Sequence, residues 1–123
     1  METDEFWTLI ESSISGDTGE FSAPKLENAL RGRSLAEIVA FDRLLSKHLA
    51  DSYSLRLWGA AYLINGGCSD DGFEYFRAWL ITRGREVFHA ALRDPDGLAA
   101  LKVEHAECED ILQSAARAYQ MKT

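Results

Sequence analysis

The chain has 123 residues, 46% of them hydrophobic and 27% charged, the composition of one globular domain (residues 1–123) that can build its own core. Its net charge of −7, with no Lys/Arg block, argues against nucleic-acid binding, because that affinity comes largely from neutralising phosphates. No apolar run is long enough to span a bilayer, and the chain opens on acidic residues rather than a signal-peptide core, so a cytoplasmic protein without a membrane partner is expected.

In chain order, Phe6, Ile10 and Ile14 recur at helical spacing after Thr3 or Asp4 as cap, which predicts a helix ending by Ser15-Gly16. A turn cluster, Gly16 to Gly19, leads to Pro24, where a short helix from Lys25 to Leu30 begins. Residues 1–30 hold seven acids against Lys25 alone, a face complementary to a basic partner. Ser34-Leu35-Ala36-Glu37 is a capping box, and Leu35, Ile38, Phe41, Leu45 and Leu49 line one stripe of the helix it opens. That helix ends or bends near Ala50-Asp51-Ser52.

The next helix, from Tyr53 to Ile64, is apolar almost all round, which predicts burial between other helices in the middle of the fold. Gly66-Gly67 ends it, since glycine enters the left-handed conformation without strain. A helix from Asp71 to Arg83 follows and buries Phe73, Phe76, Trp79 and Leu80. Gly84 bends or ends it, and Arg85 to Leu92 forms another short helix. Asp94-Pro95-Asp96-Gly97 opens a further segment, and a last helix sets Cys108, Ile111 or Leu112, Ala115 and Tyr119 on one face, opposite Glu104, Glu107, Glu109 and Asp110. No segment alternates like a strand. The expected architecture is all-α: a compact bundle of about six helices, with a central helical hairpin over residues 53–83.

The polar turn in that hairpin holds the candidate chemistry. Cys68 precedes a helix N-terminus, which lowers a thiol pKa, but Asp70 and Asp71 beside it raise one, and no histidine is near in sequence. Catalysis by Cys68, Asp70 and Asp71 would need His48, His89 or His105 to arrive through the fold. The plainer reading makes Cys68 a small packed residue and Ser69 or Asp70 a helix cap. Around the turn, Trp58, Asn65, Asp70, Asp71, Arg77, Trp79 and Arg85 are candidate ligand-binding residues: aromatic walls, a carboxylate pair and an arginine pair for an anion. Arg77 shares a stripe with Phe73, so it must pair, stack or face a cavity, and a salt bridge to Asp70, Asp71 or Glu74 is expected. His105 and Cys108 have the spacing of half a metal site with no second half, so no metal and no cofactor are expected.

The central stretch resembles a bacterial family, the domain of unknown function numbered 4240. The resemblance is carried by Leu57-Trp58-Gly59-Ala60-Ala61-Tyr62, Asn65 to Phe73, Tyr75-Phe76-Arg77-Ala78-Trp79-Leu80 and Gly84-Arg85-Glu86-Val87-Phe88. Weaker matches lie at Asp4 to Trp7, Asp94-Pro95-Asp96 and Glu109 to Leu112; Arg31 to Ser34 makes a shorter linker than the pattern. The resemblance implies a shared fold and no established activity. From the residues, the leading expectation is a non-enzymatic interaction module whose partner is another protein or a second copy of itself. The alternative is a small-ligand-binding protein or a cysteine-based hydrolase or transferase at the Cys68-Ser69-Asp70-Asp71 turn.

Overall fold

Local capping chemistry sets most helix starts. A computed structural model describes residues 1–100 and 106–123, and within them the chain forms seven α-helices and one 3-10 helix. They are α1 (Thr3–Glu11), α2 (Ala23–Arg31), α3 (Leu35–Asp51), α4 (Leu55–Asn65), α5 (Asp70–Ile81), α6 (Arg85–Arg93), the 3-10 helix (Pro95–Ala100) and α7 (Ile111–Lys122). Serine side chains cap four of them: Ser22, Ser34, Ser54 and Ser69 each accept a backbone N–H from the first turn. At Ser34 the capping box closes in both directions with Glu37. Arg33 joins Glu37 at 2.9 Å and Glu5 at 3.0 Å, so the short α2–α3 linker is tied to α1.

Two boundaries differ from the expected ones. Helix α1 stops at Glu11, because Ser13 turns its hydroxyl back onto the Leu9 carbonyl and Ile14 leaves the helix to bridge Phe21 in antiparallel fashion. Cys108 and Glu109 lie ahead of α7 rather than inside it. The Cys108 N–H donates to the Tyr75 carbonyl at 3.0 Å, which draws the segment along α5 before the helix begins.

One contiguous core takes side chains from every helix, among them Phe6, Trp7, Leu26, Phe41, Leu57, Phe76, Phe88 and Ile111. Helix α5 is the most enclosed: Phe73 and every residue from Phe76 to Ile81 are buried. Helix α4 departs from the expectation of all-round burial. It buries Leu57, Ala60 and Ala61, chiefly against the 3-10 helix, and leaves its opposite side open. Helices α2 and α7 pack side by side, and Lys122 reaches the Arg31 carbonyl at 3.0 Å, so the end of α7 is tied to the end of α2. No helix among the described residues is long and apolar enough to cross a membrane.

The acidic N-terminal region is partly neutralised by folding. Asp4 pairs with Arg85 at 2.6 Å, Glu5 with Arg33 at 3.0 Å and Glu27 with Arg117 at 3.2 Å. Glu2, Glu11, Asp17 and Glu20 stay exposed without an ion pair among the described residues. The acids therefore serve the fold as well as the surface field, although each exposed pair contributes at most about 1 kcal/mol.

An aromatic cluster around Phe6, Trp7 and Phe88 holds two histidines. His48 stacks on Phe6 with ring centres 4.7 Å apart and bonds the Leu44 carbonyl through Nδ1 at 2.7 Å. His89 lies against Trp7 at 6.0 Å and Phe88 at 5.4 Å. Burial first, then the charges of Arg85, His48 and Arg93, hold the His89 pKa below the ordinary histidine value. A depressed folded-state pKa means that the unfolded chain binds the extra proton, so this stability is full above the ordinary histidine pKa and drains as pH falls. Urea midpoints should therefore drop from pH 7 to pH 5, and His89→Gln should flatten that drop. An unchanged slope in the variant would show that His89 is not its source.

Candidate functional site

The turn between α4 and α5 is built by glycine at one end and serine at the other. Gly66 adopts φ 70° and ψ 30°, the left-handed region, and the amides of Gly66 and Gly67 both donate to the Tyr62 carbonyl. The chain then reverses, and Ser69 Oγ accepts from the Gly72 N–H at 3.1 Å to start α5. Asp70 and Asp71 occupy the first turn, both exposed, where their carboxylates meet the positive end of the helix dipole. The cap is Ser69; Asp70 only flanks it.

Two candidate ligands in this turn are committed to structure. The Trp58 indole N–H donates to the Cys68 carbonyl at 2.9 Å, tying the turn back onto α4. The Asn65 amide accepts from the Ala106 N–H at 3.3 Å and donates to the Ala106 carbonyl at 3.4 Å, as a neighbouring strand would. Asn65 thus clamps the returning chain at Ala106.

Cys68 is half-buried, its thiol 3.6 Å from the Ser69 carbonyl, and burial pushes its pKa up. Cys108 is raised too, by burial above all. His48 and His89 belong to the aromatic cluster around Phe6, Trp7 and Phe88, and His105 lies outside the described residues, as does the His105 half of the His105–Cys108 pair. A thiol with a raised pKa is a poor nucleophile at neutral pH. Iodoacetamide should therefore alkylate Cys68 more slowly than free cysteine at pH 7. Faster alkylation would restore Cys68 as an activated thiol.

Arg77 corrects the salt-bridge expectation. It makes no ion pair with Asp70, Asp71 or Glu74 among the described residues; Asp70 and Asp71 sit on the exposed first turn while Arg77 points into the protein. Its guanidinium lies over the Phe73 ring at 4.7 Å and the Tyr53 ring at 5.0 Å, and Nη1 donates to the Leu49 carbonyl in the last turn of α3. Trp58 stacks on the other partner, Phe73, at 5.1 Å and 16°. The side chain is 8% exposed, and desolvation lowers its pKa against the weaker opposing pull of Glu74 and Asp70. An arginine serves here because its flat, weakly hydrated cation can lie between rings and still cap a helix.

The remaining candidates do not converge. Arg85 is spent on Asp4, so it forms no anion site with Arg77. Trp79 packs on Phe76 at 5.8 Å and under Arg83 at 5.6 Å, apart from the Trp58–Phe73–Tyr53 group. No group of three or more His, Cys, Asp or Glu side chains among the described residues is arranged to hold a metal ion.

The feature that sequence reasoning missed is the open face of α4. Leu55 is 82% exposed, Leu63 75% and Tyr62 57%, and they surround Gly59 in a shallow groove with Arg56, Ala60 and Asp96. Arg56 pairs with Asp96 across the rim at 3.1 Å, both well exposed. The signal available in the sequence was the low amphipathicity of the segment, which says that α4 has apolar residues to spare without saying which side is covered.

The model of the family described as "protein of unknown function (DUF4240)" matches residues 1–121. The chain belongs to the DUF4240 family. No curated protein and no solved structure matches the chain. The match spans both the Cys68–Asp71 turn and the open side of α4, so both are parts of the family domain and neither is an appended segment.

Proposed function

We propose that this DUF4240 chain is a non-enzymatic protein-interaction module of the cytoplasm that docks through the open face of α4. The observation that carries the reading is the exposure of Leu55, Tyr62 and Leu63 on a helix whose single charged residue is Arg56. Large apolar side chains gathered on one face of an otherwise charged surface mark a binding site more often than scattered exposed leucines do. The net charge of −7 favours a protein over a nucleic acid or an anionic lipid surface as the partner. The polar turn serves as the rigid joint that presents α4, its groups being satisfied internally by Trp58, Asn65 and Ser69.

A photo-crosslinking residue placed at position 63 tests this in the cells that make the chain, with position 120 on the exposed side of α7 as control. A discrete adduct is expected from position 63 and not from position 120, and Leu55→Glu should abolish it. The same adduct pattern from both positions would overturn the reading.

A further inference from the structure

The open side of α4 is self-complementary about Gly59. In an antiparallel pair of helices related by a two-fold axis at Gly59, a residue a given number of places before it lies level with the residue the same number after it on the other copy. Four before is Leu55 and four after is Leu63; three before is Arg56 and three after is Tyr62. Leucine therefore meets leucine, and a guanidinium meets an aromatic ring, at both ends of the contact. On a helix at about 100° per residue, Leu55 and Leu63 fall symmetrically to either side of Gly59, and so do Arg56 and Tyr62. All five positions are exposed.

Gly59 suits the crossing point. It is solvent-facing, and a Cβ built on it meets nothing beyond its own helix backbone within 4 Å among the described residues. A glycine in the middle of a helix weakens that helix relative to alanine, and no contact among the described residues requires one there. A second backbone lying across it supplies the requirement, as small residues do where helices approach closely.

We infer that the occupant of this groove is a second copy of the chain, seated with α4 antiparallel to α4 and crossing at Gly59. The inference rests on the reading of α4 as a docking face and names its partner. Charge is consistent with that choice. Residues 53–69 hold no carboxylate and the groove's Asp96 is paired with Arg56, so most of the net charge of −7 on each copy comes from outside the contact. The rim pair Arg56–Asp96 is free to re-form with the other copy's Tyr62 ring over Arg56. A pair of eleven-residue helices buries little area, so the dimer belongs to the small, transient class of interface.

The experiment is sedimentation equilibrium of the purified chain, alone and as charge variants at the crossing point. The wild type should be a monomer–dimer mixture whose dimer fraction rises with concentration. It should rise again with added salt, which screens the −7 against −7 repulsion. Gly59→Glu and Gly59→Lys should each weaken the dimer by tenfold or more, because each variant sets a charge against its own copy at the two-fold axis. Circular dichroism should show both folded, since the position is open. An equimolar mixture of the two variants should dimerise again, which a contact anywhere else on the surface would not produce. A wild type that stays monomeric at every concentration, or a mixture no more associated than its components, overturns the inference. A monomeric wild type that still gives a position-63 adduct to a different protein overturns only the second copy. A monomer that gives no such adduct overturns the docking face as well.

Discussion

Arg77→Ala is expected to cost about 3–4 kcal/mol, the sum of a charge-assisted hydrogen bond to a carbonyl and stacking on two rings. The side chain is 8% exposed, so little solvent screening reduces either contribution. Its loss also leaves the Leu49 carbonyl at the end of α3 with the Ser52 hydroxyl, at 3.0 Å, as its remaining side-chain donor, and opens space between Tyr53 and Phe73. Against a typical total stability of roughly 5–15 kcal/mol, that is a large share. The position has a second, more discriminating substitution. No carboxylate forms an ion pair with Arg77 among the described residues, so its charge is held at a desolvation cost offset by rings, one carbonyl and the weaker pull of Glu74 and Asp70. Arg77→Met keeps the stem between the rings and removes that cost, and should recover at least half of what alanine loses. Urea unfolding at unchanged slope reads both. If methionine is no better than alanine, the guanidinium has a charged partner that the packing does not show. If alanine is as stable as wild type, Arg77 is not a structural residue at all.

The reason Arg77 was misread from sequence is instructive about reach. Helical spacing relates Arg77 to Asp70, Phe73 and Glu74 on its own helix, and of these it identified Phe73 as a neighbour correctly. Leu49 and Tyr53 come from the end of α3 and the linker to α4, and no local period connects them to residue 77. Capping was legible for the opposite reason. Ser34 with Glu37, and Ser69 ahead of α5, act within four residues, so type and spacing suffice to place them. The all-α bundle was legible because the apolar period persists through α1, α3 and α5. The open side of α4 was not, because an evenly apolar helix has no pattern to say which face is covered. Trp58 and Asn65 looked like ligand-binding side chains on composition; their bonds to Cys68 and Ala106 exist only once the turn and the returning segment are in place.

Gly84→Ala is expected to destabilise the chain by about 1–3 kcal/mol, because Gly84 has a backbone conformation that is essentially reserved for glycine. Its φ of 99° and ψ of 168° place the residue outside the left-handed helical region as well as the ordinary extended one. It forms the corner between α5 and α6, and its carbonyl accepts the Phe88 N–H at 3.0 Å to start α6, so the backbone cannot relax without losing that first turn. A second effect acts on the same methyl: a Cβ here comes within 3.2 Å of Glu11 Oε2. The two are separable. Glu11 is exposed and its carboxylate is the far end of a flexible side chain, so it can swing into water at small cost. Glu11→Ala added to Gly84→Ala should therefore restore only a minor part of the loss, with the remainder belonging to the backbone. Asparagine separates this glycine from the one that ends α4. At Gly66, with φ 70° and ψ 30°, Gly66→Asn should be tolerated, since asparagine visits the left-handed region. At Gly84 that region is not the one used, and Gly84→Asn should cost at least as much as alanine. Urea midpoints for the four variants decide it, and a Gly84→Ala chain within about 0.5 kcal/mol of wild type would show that the α5–α6 corner can be made without the glycine conformation.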